Sequence, residues 1–291
     1  MHKSGFVSII GRPNVGKSTL MNAFLGEDLS ITNPKAQTTR HRILGILNSE
    51  DYQIVFSDTP GIIKPGYKLQ EYMMSFVTSS LEDADMFLIV TEIGEDLQEA
   101  DIIENIRKSS VRTVLIINKI DLSDQKSVEE KIKIYAKRFP NWEIMPVSAI
   151  NGFNIQKVLN YVTDYLPEAP PYFPKDEMSD RPVRFFVSEI IREKILSLYQ
   201  KEIPYSVEVE VETFKEDNKI AHIRCIIYVE RETQKGILIG HKGSMLKKVG
   251  TYARLEIEKF IGKKAFLELH VKVNKNWRED DNQLRRFGYK H

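Results

Sequence analysis

The residues Gly11-Arg12-Pro13-Asn14-Val15-Gly16-Lys17-Ser18 stand between an apolar run, residues 6–10, and a helix-forming stretch that opens with Lys17-Ser18-Thr19-Leu20-Met21. A glycine, four residues, then Gly-Lys-Ser between a strand and a helix suits the cradling of a polyphosphate. Gly11 and Gly16 let the backbone curl so that the N–H groups from Asn14 and Val15 through Thr19 face the phosphates. Lys17 bridges the terminal phosphates, and the Ser18 hydroxyl reaches a Mg²⁺ ion. A chance match in a surface turn would lack the strand before it and the helix after it.

Three further clusters fall at strand ends. Asp58-Thr59-Pro60-Gly61 follows residues 54–56; Asp58 suits Mg²⁺ through water, and Gly61 lets its N–H approach a γ-phosphate closely. Asn118-Lys119-Ile120-Asp121 follows residues 114–117. The carboxylate of Asp121 can accept from both N1–H and the 2-amino group of guanine, a pairing that adenine cannot match. Asn118 is placed to tie this loop to the phosphate loop, and Lys119 to lay its alkyl stem along the base. Ser148-Ala149 follows residues 144–147, with the Ala149 N–H facing the guanine carbonyl oxygen. Between the first helix and the next strand lies Lys35-Ala36-Gln37-Thr38-Thr39-Arg40. A threonine here would complete the Mg²⁺ shell and fold the loop over the nucleotide, Thr39 first and Thr38 in reserve.

The elements that must position these groups alternate along residues 3–166: strands near 6–10, 42–47, 53–57, 86–90, 113–118 and 143–147, with helices between and after them. That order predicts an α/β domain with a mostly parallel sheet and helices on both faces, its ligands at the carboxyl ends of the strands. From Leu166 the sequence runs LPEAPPYFPKDEMSDRP, a proline-dense linker over 167–182 that favours extended, semi-rigid backbone. The predicted domains are therefore 1–166 and 183–291, in keeping with a 291-residue length.

The second domain reads as a helix from 185, strands over 206–213 and 220–230, a helix, a glycine-rich loop, a helix over 245–261, a strand over 264–273 and a short terminal helix. This is a smaller α+β unit, expected on one antiparallel-type ladder. Ser206-Val207-Glu208-Val209-Glu210-Val211-Glu212 alternates with period two, so the valines should face a core and the glutamates water. Gly240-His241-Lys242-Gly243 lies between two helices. Such a loop can clamp a sugar-phosphate backbone: its glycines permit close approach, and helix dipoles with Lys242 favour phosphate. Ile237 and Ile239 are candidates for the adjoining apolar groove. Ser244, Lys247, Lys248, Arg254, Lys272, Lys275, Arg278, Arg285 and Arg286 supply polar and basic surroundings, with His241 a phosphate neighbour. Trp277 suits either the core or a stacking platform.

Net charge is +1, yet residues 1–180 hold 19 Lys and Arg against 25 Asp and Glu, while the remainder holds 23 against 16. A basic second part suggests a polyanionic partner. The single cysteine, Cys225, sits in an apolar alternation and forms no internal disulfide, consistent with a reducing compartment. No apolar run approaches about 18 residues, and the start resembles no signal peptide, so the expected location is cytoplasmic.

Taken together, GxxxxGKS, DxxG, NKxD and SA in this chain order resemble the translation-factor-related GTPases over residues 6–166, and GHKG with its α-β-β-α-α-β setting resembles a type II KH domain. A P-loop GTPase domain with Thr-Thr-Arg in its first switch, a proline-rich linker and one KH domain resembles the Era family over essentially the whole chain. The resemblance implies GTP binding and slow GTP hydrolysis with Mg²⁺, stimulated by RNA. It also implies binding of the single-stranded 3′ end of 16S rRNA, and a part in assembly of the small (30S) ribosomal subunit. Peripheral association with the inner face of the membrane is a secondary implication, for which the sequence shows no amphipathic anchor; a monomer is expected. One departure from Ras-like enzymes is plain: the residue after Gly61 is Ile62 where they carry glutamine, so no side-chain base for the attacking water is identified. Backbone groups of the switches, with a monovalent cation such as K⁺ near Asn14, are the expected substitute, since Asn14 and the Thr-Thr-Arg loop resemble those of potassium-stimulated relatives.

Other readings fit less well. The tRNA-modifying GTPases insert this domain in a helical one and end in a cysteine motif, double-GTPase factors need a second GxxxxGKS, and a P-loop kinase has no use for Asn118-Lys119-Ile120-Asp121. An RNA scaffold with a dead nucleotide site would not need Lys17, Ser18, Asp58 and Asp121 intact.

Overall fold

The computed structural model describes residues 1–97 and 100–289, which divide into two compact units, 1–64 with 73–180 and 65–72 with 181–289. The first unit is built on strands β1 (Lys3–Gly11), β2 (Ile43–Asn48), β3 (Tyr52–Asp58), β4 (Met86–Glu92), β5 (Arg112–Asn118) and β6 (Glu143–Pro146). Its helices are α1 (Lys17–Leu25), α2 (Lys68–Glu82, from residue 73 on), α3 (Asp101–Lys108), α4 (Gln125–Arg138) and α5 (Ile155–Tyr165). The strand order is β2-β3-β1-β4-β5-β6, and every pair is parallel except the β2–β3 edge hairpin. Helices α2, α3 and α4 bury Val77, Ile103, Ile106 and Tyr135, with Phe139 just after α4, against Ile10, Phe87, Ile89, Leu115 and Ile117 of the sheet. The central strands are apolar without interruption because parallel strands are covered on both faces. β4, for example, is buried from Met86 through Thr91.

The proline-rich segment is held against this unit as far as Asp180. Gln53, fully buried, accepts from the Tyr172 N–H at 2.7 Å and the Phe173 N–H at 3.0 Å and donates to the Phe173 carbonyl at 2.8 Å. Lys175 Nζ donates to the Ser49 and Glu50 carbonyls, and Ser179 forms an antiparallel bridge with Gly45 on edge strand β2. Prolines deny this stretch a regular ladder, yet several of its other backbone groups find partners on the first unit, among them the Met178 carbonyl, which accepts from the Ile46 N–H of β2 at 2.9 Å.

The second unit contains α6 (Val183–Leu198), a single turn α7 (Ile203–Ser206), β7 (Glu208–Glu216), β8 (Ile220–Val229), α8 (Glu232–Ile239), α9 (Ser244–Ile261), β9 (Lys264–Val273) and α10 (Asp281–Arg286). The sheet order is β7-β8-β9. β7 and β8 are antiparallel, but β8 and β9 are parallel, which corrects the expectation of one antiparallel-type ladder. The physical reason is the connection: α8 and α9 form a helical crossover, and a crossover returns the chain in the same direction. Alternate β8 residues Ala221, Ile223, Cys225, Ile227 and Val229 meet Val187, Ile191 and Ile195 of α6 and Val249, Ala253 and Ile257 of α9 in one core.

The acidic alternation on β7 also departs from expectation. Glu208 is buried and accepts from the Tyr289 hydroxyl at 2.7 Å, while Glu210 accepts from Tyr228 at 2.8 Å and from Arg286 at 2.6 Å. The C-terminal segment covers this end of the sheet, so two of the glutamates serve as hydrogen-bond acceptors for it in place of facing water. Among the described residues no helix is long and apolar enough to cross a membrane.

Candidate functional site

At the carboxyl end of β1 the chain turns through Asn14 (φ 66°) and Gly16 (φ 95°) into α1. Both glycines of the turn are fixed by close approach. A Cβ on Gly11 would stand 2.3 Å from the Val90 carbonyl oxygen, and one on Gly16 would stand 2.3 Å from Asn118 Nδ2. Gly61 is pressed onto the same turn, since a Cβ there would lie 2.5 Å from the Pro13 nitrogen. The turn after β3 therefore meets the phosphate loop backbone to backbone, while the 118–121 loop meets it through the Asn118 side chain.

A cavity of about 430 Å³ opens where they meet, with Asn14, Gly16, Lys17, Ser18, Thr19, Thr38, Thr39, Gly61 and Lys119 among its walls. Val15, Thr59 and Pro60 are buried behind it. Lys17 Nζ donates to the Gly11 and Arg12 carbonyls at 3.1 and 2.8 Å, and burial pulls its ammonium down to about 8, opposed by the charge of Asp58. Such a desolvated ammonium gains most when an anion arrives beside it.

Beside Lys17, Ser18 Oγ donates to Asp58 Oδ2 at 2.6 Å and lies 2.9 Å from Thr39 Oγ1. Thr39 is thus the threonine of residues 31–42 that joins Ser18 and Asp58; Thr38 Oγ1 turns away and donates to the Lys35 carbonyl at 2.7 Å. Burial, outweighing the hydrogen bond from Ser18 and the charge of Lys17, holds the Asp58 carboxyl above the usual range, and its Oδ1 is buried with no hydrogen-bond partner. A buried carboxylate oxygen left bare beside two hydroxyls has the donor chemistry of a hard cation, Mg²⁺ above all. Thr59 Oγ1 donates to the Ile9 carbonyl at 2.8 Å, locking the turn to β1. The Ile62 N–H donates to the Gly11 carbonyl at 3.0 Å while its side chain packs on the core beside α2 to α4. That orientation leaves it no role in orienting water.

Asn118 is the joint of the site. Its Nδ2 donates to the Val15 carbonyl at 2.9 Å and its Oδ1 accepts from the Ala149 N–H at 3.0 Å, so one buried amide joins the phosphate loop to the Ser148-Ala149 turn. Ser148 Oγ donates to Asp121 Oδ1, turning that exposed carboxylate. Sequence reasoning missed two acidic partners at and after the end of β4: Glu92, its last residue, paired with Lys119, and Glu95 on the following loop, 3.0 Å from Arg12 of the phosphate loop. Nothing in their spacing marked them, because both contacts join distant stretches of chain.

In the second unit α8 ends at Gly240 (φ 72°), and the turn continues through Lys242 (φ 49°) and Gly243 (φ 78°) into α9. A Cβ on Gly240 would meet Met245 Cγ at 2.7 Å, whereas the space around Gly243 is open. Only the positive φ of Gly243 calls for glycine there, which leaves that face free for a ligand backbone. His241, Lys242, Ser244, Lys247, Lys248 and Lys275 are exposed at or after this turn, Ile237 is half exposed and Ile239 partly so. Other basic residues counted toward the same face are committed elsewhere: Arg254 to Glu258 at 2.9 Å, Arg278 to Glu230, and Arg286 to Glu210. Trp277 is fully buried and donates to the Ser206 carbonyl at 3.0 Å, so it is a core residue and no stacking platform.

Comparison with known proteins matches both units. A family described as 50S ribosome-binding GTPase matches residues 6–119, and the KH domain family matches residues 202–278. GTPase Era of Clostridium kluyveri is 45% identical over 293 residues, covering 100% of both chains. GTPase Era of Geotalea daltonii is 48% identical over 289 residues, covering 98% of this chain and 97% of the relative. Among solved structures, an Era in complex with MgGDPNP and nucleotides 1506–1542 of 16S ribosomal RNA superposes with a TM-score of 0.93 at 39% identity, with 100% of each chain covered. An Aquifex aeolicus Era variant bound to GDP·AlF4⁻ gives the same TM-score and identity over 99% of this chain and 100% of that one. With the GTPase and KH family models both matched on one chain of that full-length likeness, the protein belongs to the Era family of GTPases.

Proposed function

We propose that this GTPase is a nucleotide-governed RNA-binding switch: residues 1–166 bind and hydrolyse GTP, and residues 183–291 hold the single-stranded 3′ end of 16S rRNA during assembly of the small ribosomal subunit. The observation that carries the nucleotide half is the bridging amide of Asn118, which sets Gly16 and Val15 of the phosphate loop against Ala149 of the guanine loop. On this reading the N–H groups of residues 14–19 and the Lys17 ammonium bind the β- and γ-phosphates, Gly61 N–H approaches the γ-phosphate, and Asp121, turned by Ser148, accepts from guanine. Ser18, Thr39 and Asp58 would hold Mg²⁺, which when bound neutralises charge between the β- and γ-phosphates.

With Ile62 directed into the core, the attacking water is left to backbone groups of residues 31–42 and of the turn after Gly61, assisted by K⁺ near Asn14. Faster turnover in potassium than in sodium buffers is the expected sign of that cation; equal rates would remove it. The RNA half rests on the KH turn: Gly240 and Gly243 admit a sugar-phosphate backbone, Lys242, Lys247 and Lys275 supply charge, His241 and Ser244 lie beside the phosphates, and Ile237 and Ile239 pack on bases. Its target is carried over from the relative solved with 16S rRNA nucleotides.

Base selectivity tests the nucleotide half. Xanthine presents a carbonyl where guanine presents its 2-amino group, so Asp121→Asn should exchange GDP for XDP as the preferred ligand by about tenfold or more each way. An Asp121→Asn protein that still prefers GDP would contradict the assignment.

A further inference from the structure

The Lys119–Glu92 pair has a place in nucleotide binding that the motif residues do not account for. β4 and β5 run parallel with Glu92 in register with Asn118, and the Ile93 N–H donates to the Asn118 carbonyl at 3.0 Å. Glu92 is therefore fixed to the strand end that launches the guanine loop. One residue on, Lys119 takes a left-handed backbone conformation (φ 60°), forms part of the cavity wall, and sets its ammonium on the Glu92 carboxylate. Both side chains are largely sheltered, at 33% and 24% exposure.

A free lysine stem with a strongly hydrated ammonium would sample many rotamers at the mouth of the cavity, including ones that reach for the phosphates. We propose that Glu92 is a positioning residue for nucleotide binding: by anchoring the Lys119 ammonium it stretches the four-carbon stem along the cavity wall as a preformed apolar rail for the purine ring. The inference rests on the assignment of the 118–121 loop to the base. Its physical content is preorganisation. The rotamer freedom of one long side chain is surrendered on folding and not on binding, so the nucleotide is held longer. Because the rail touches the ring face, Glu92 should affect all purines that bind there alike, in contrast to Asp121, which reads the edge.

The experiment is the rate of GDP release from the full-length protein, followed by chasing a fluorescent GDP analogue with unlabelled GDP, in a Glu92→Gln, Lys119→Met cycle. Glu92→Gln keeps the shape and removes the charge; it should speed release about three- to tenfold, the effect expected for freeing one long side chain. KM for GTP should rise while kcat changes by less than about twofold. Glu92→Gln added to Lys119→Met should produce no further acceleration, and the ratio of IDP to GDP affinity, which reports the edge contact to the 2-amino group, should be unchanged by Glu92→Gln. Glu92→Asp, which keeps the charge, should restore part of the slow release. Melting temperatures of the nucleotide-free proteins separate a folding defect from a binding one.

Release from Glu92→Gln at the parental rate, or effects of the two substitutions that multiply, would overturn the role of Glu92. If Asp121→Asn leaves GDP release at the parental rate as well, it is the assignment of this loop to the base that fails.

Discussion

Asn118 shows how much a single buried side chain carries here. Its amide donates to one loop and accepts from another, and either partner left bare in the interior costs about 1–3 kcal/mol. Asn118→Ala should therefore lower GDP affinity by about tenfold or more, with a lower melting temperature, and GDP titration would check it. Gly16→Ala offends twice, through a φ of 95° and through a Cβ placed 2.3 Å from Asn118 Nδ2, so the same titration should find it at least as damaging. A Gly16→Ala protein with parental affinity would show that the loops are less tightly apposed than these distances require. The types and spacing of Lys17, Ser18 and Asp58 mark them in the sequence as members of one strand-end site, and the structure brings Lys17 and Ser18 to one cavity with Asp58 bonded to Ser18. Glu92 and Glu95 were not legible. An acidic residue at the end of β4 acquires meaning only once β5 lies beside it in register.

The elements of the first unit were mostly readable, since uninterrupted apolar strands alternating with amphipathic helices leave few topologies open. What escaped was long-range: the parallel course of β9 and the buried face of Glu208. Period-two alternation says which residues share a face, and Val207 and Val209 are indeed core, but it does not say that a C-terminal segment will cover the other face. Removing the Tyr289 hydroxyl with Tyr289→Phe leaves the buried Glu208 short of a donor and should cost about 1–3 kcal/mol in chemical denaturation of the second unit. Cys225 gives an independent check on β8: buried among apolar groups, its thiol is pushed up to about 12. It should resist thiol reagents at pH 8 in native buffer and react promptly once unfolded. Rapid native labelling would mean that this core opens readily. The proline-rich segment escaped for a similar reason, as composition speaks of stiffness and not of the Gln53 side chain that grips Tyr172 and Phe173. Gln53→Ala should raise the rate of proteolytic cleavage within residues 170–175.

At the scale of the whole molecule, one chain carries an acidic GTPase part and a basic KH part. Coupling between them has a thermodynamic signature whatever its route. If GTP alters RNA affinity, RNA must alter GTP affinity by the same factor, so RNA affinity should differ between the GTP-analogue and GDP states, typically by about 5- to 150-fold. The Mg²⁺, base and KH residues then belong to one cycle, with hydrolysis converting one affinity into the other. The decisive experiment is GTP hydrolysis by the intact protein with and without a short single-stranded RNA copied from the 3′ end of 16S rRNA, with Gly243→Asp as the comparison. A side chain and negative charge at a φ of 78° should close the RNA turn while leaving the nucleotide site untouched. Hydrolysis should quicken with RNA and lose that acceleration in Gly243→Asp; hydrolysis indifferent to the RNA, or equally stimulated in the variant, would contradict a switch in which the KH turn reads this RNA and signals to the nucleotide site.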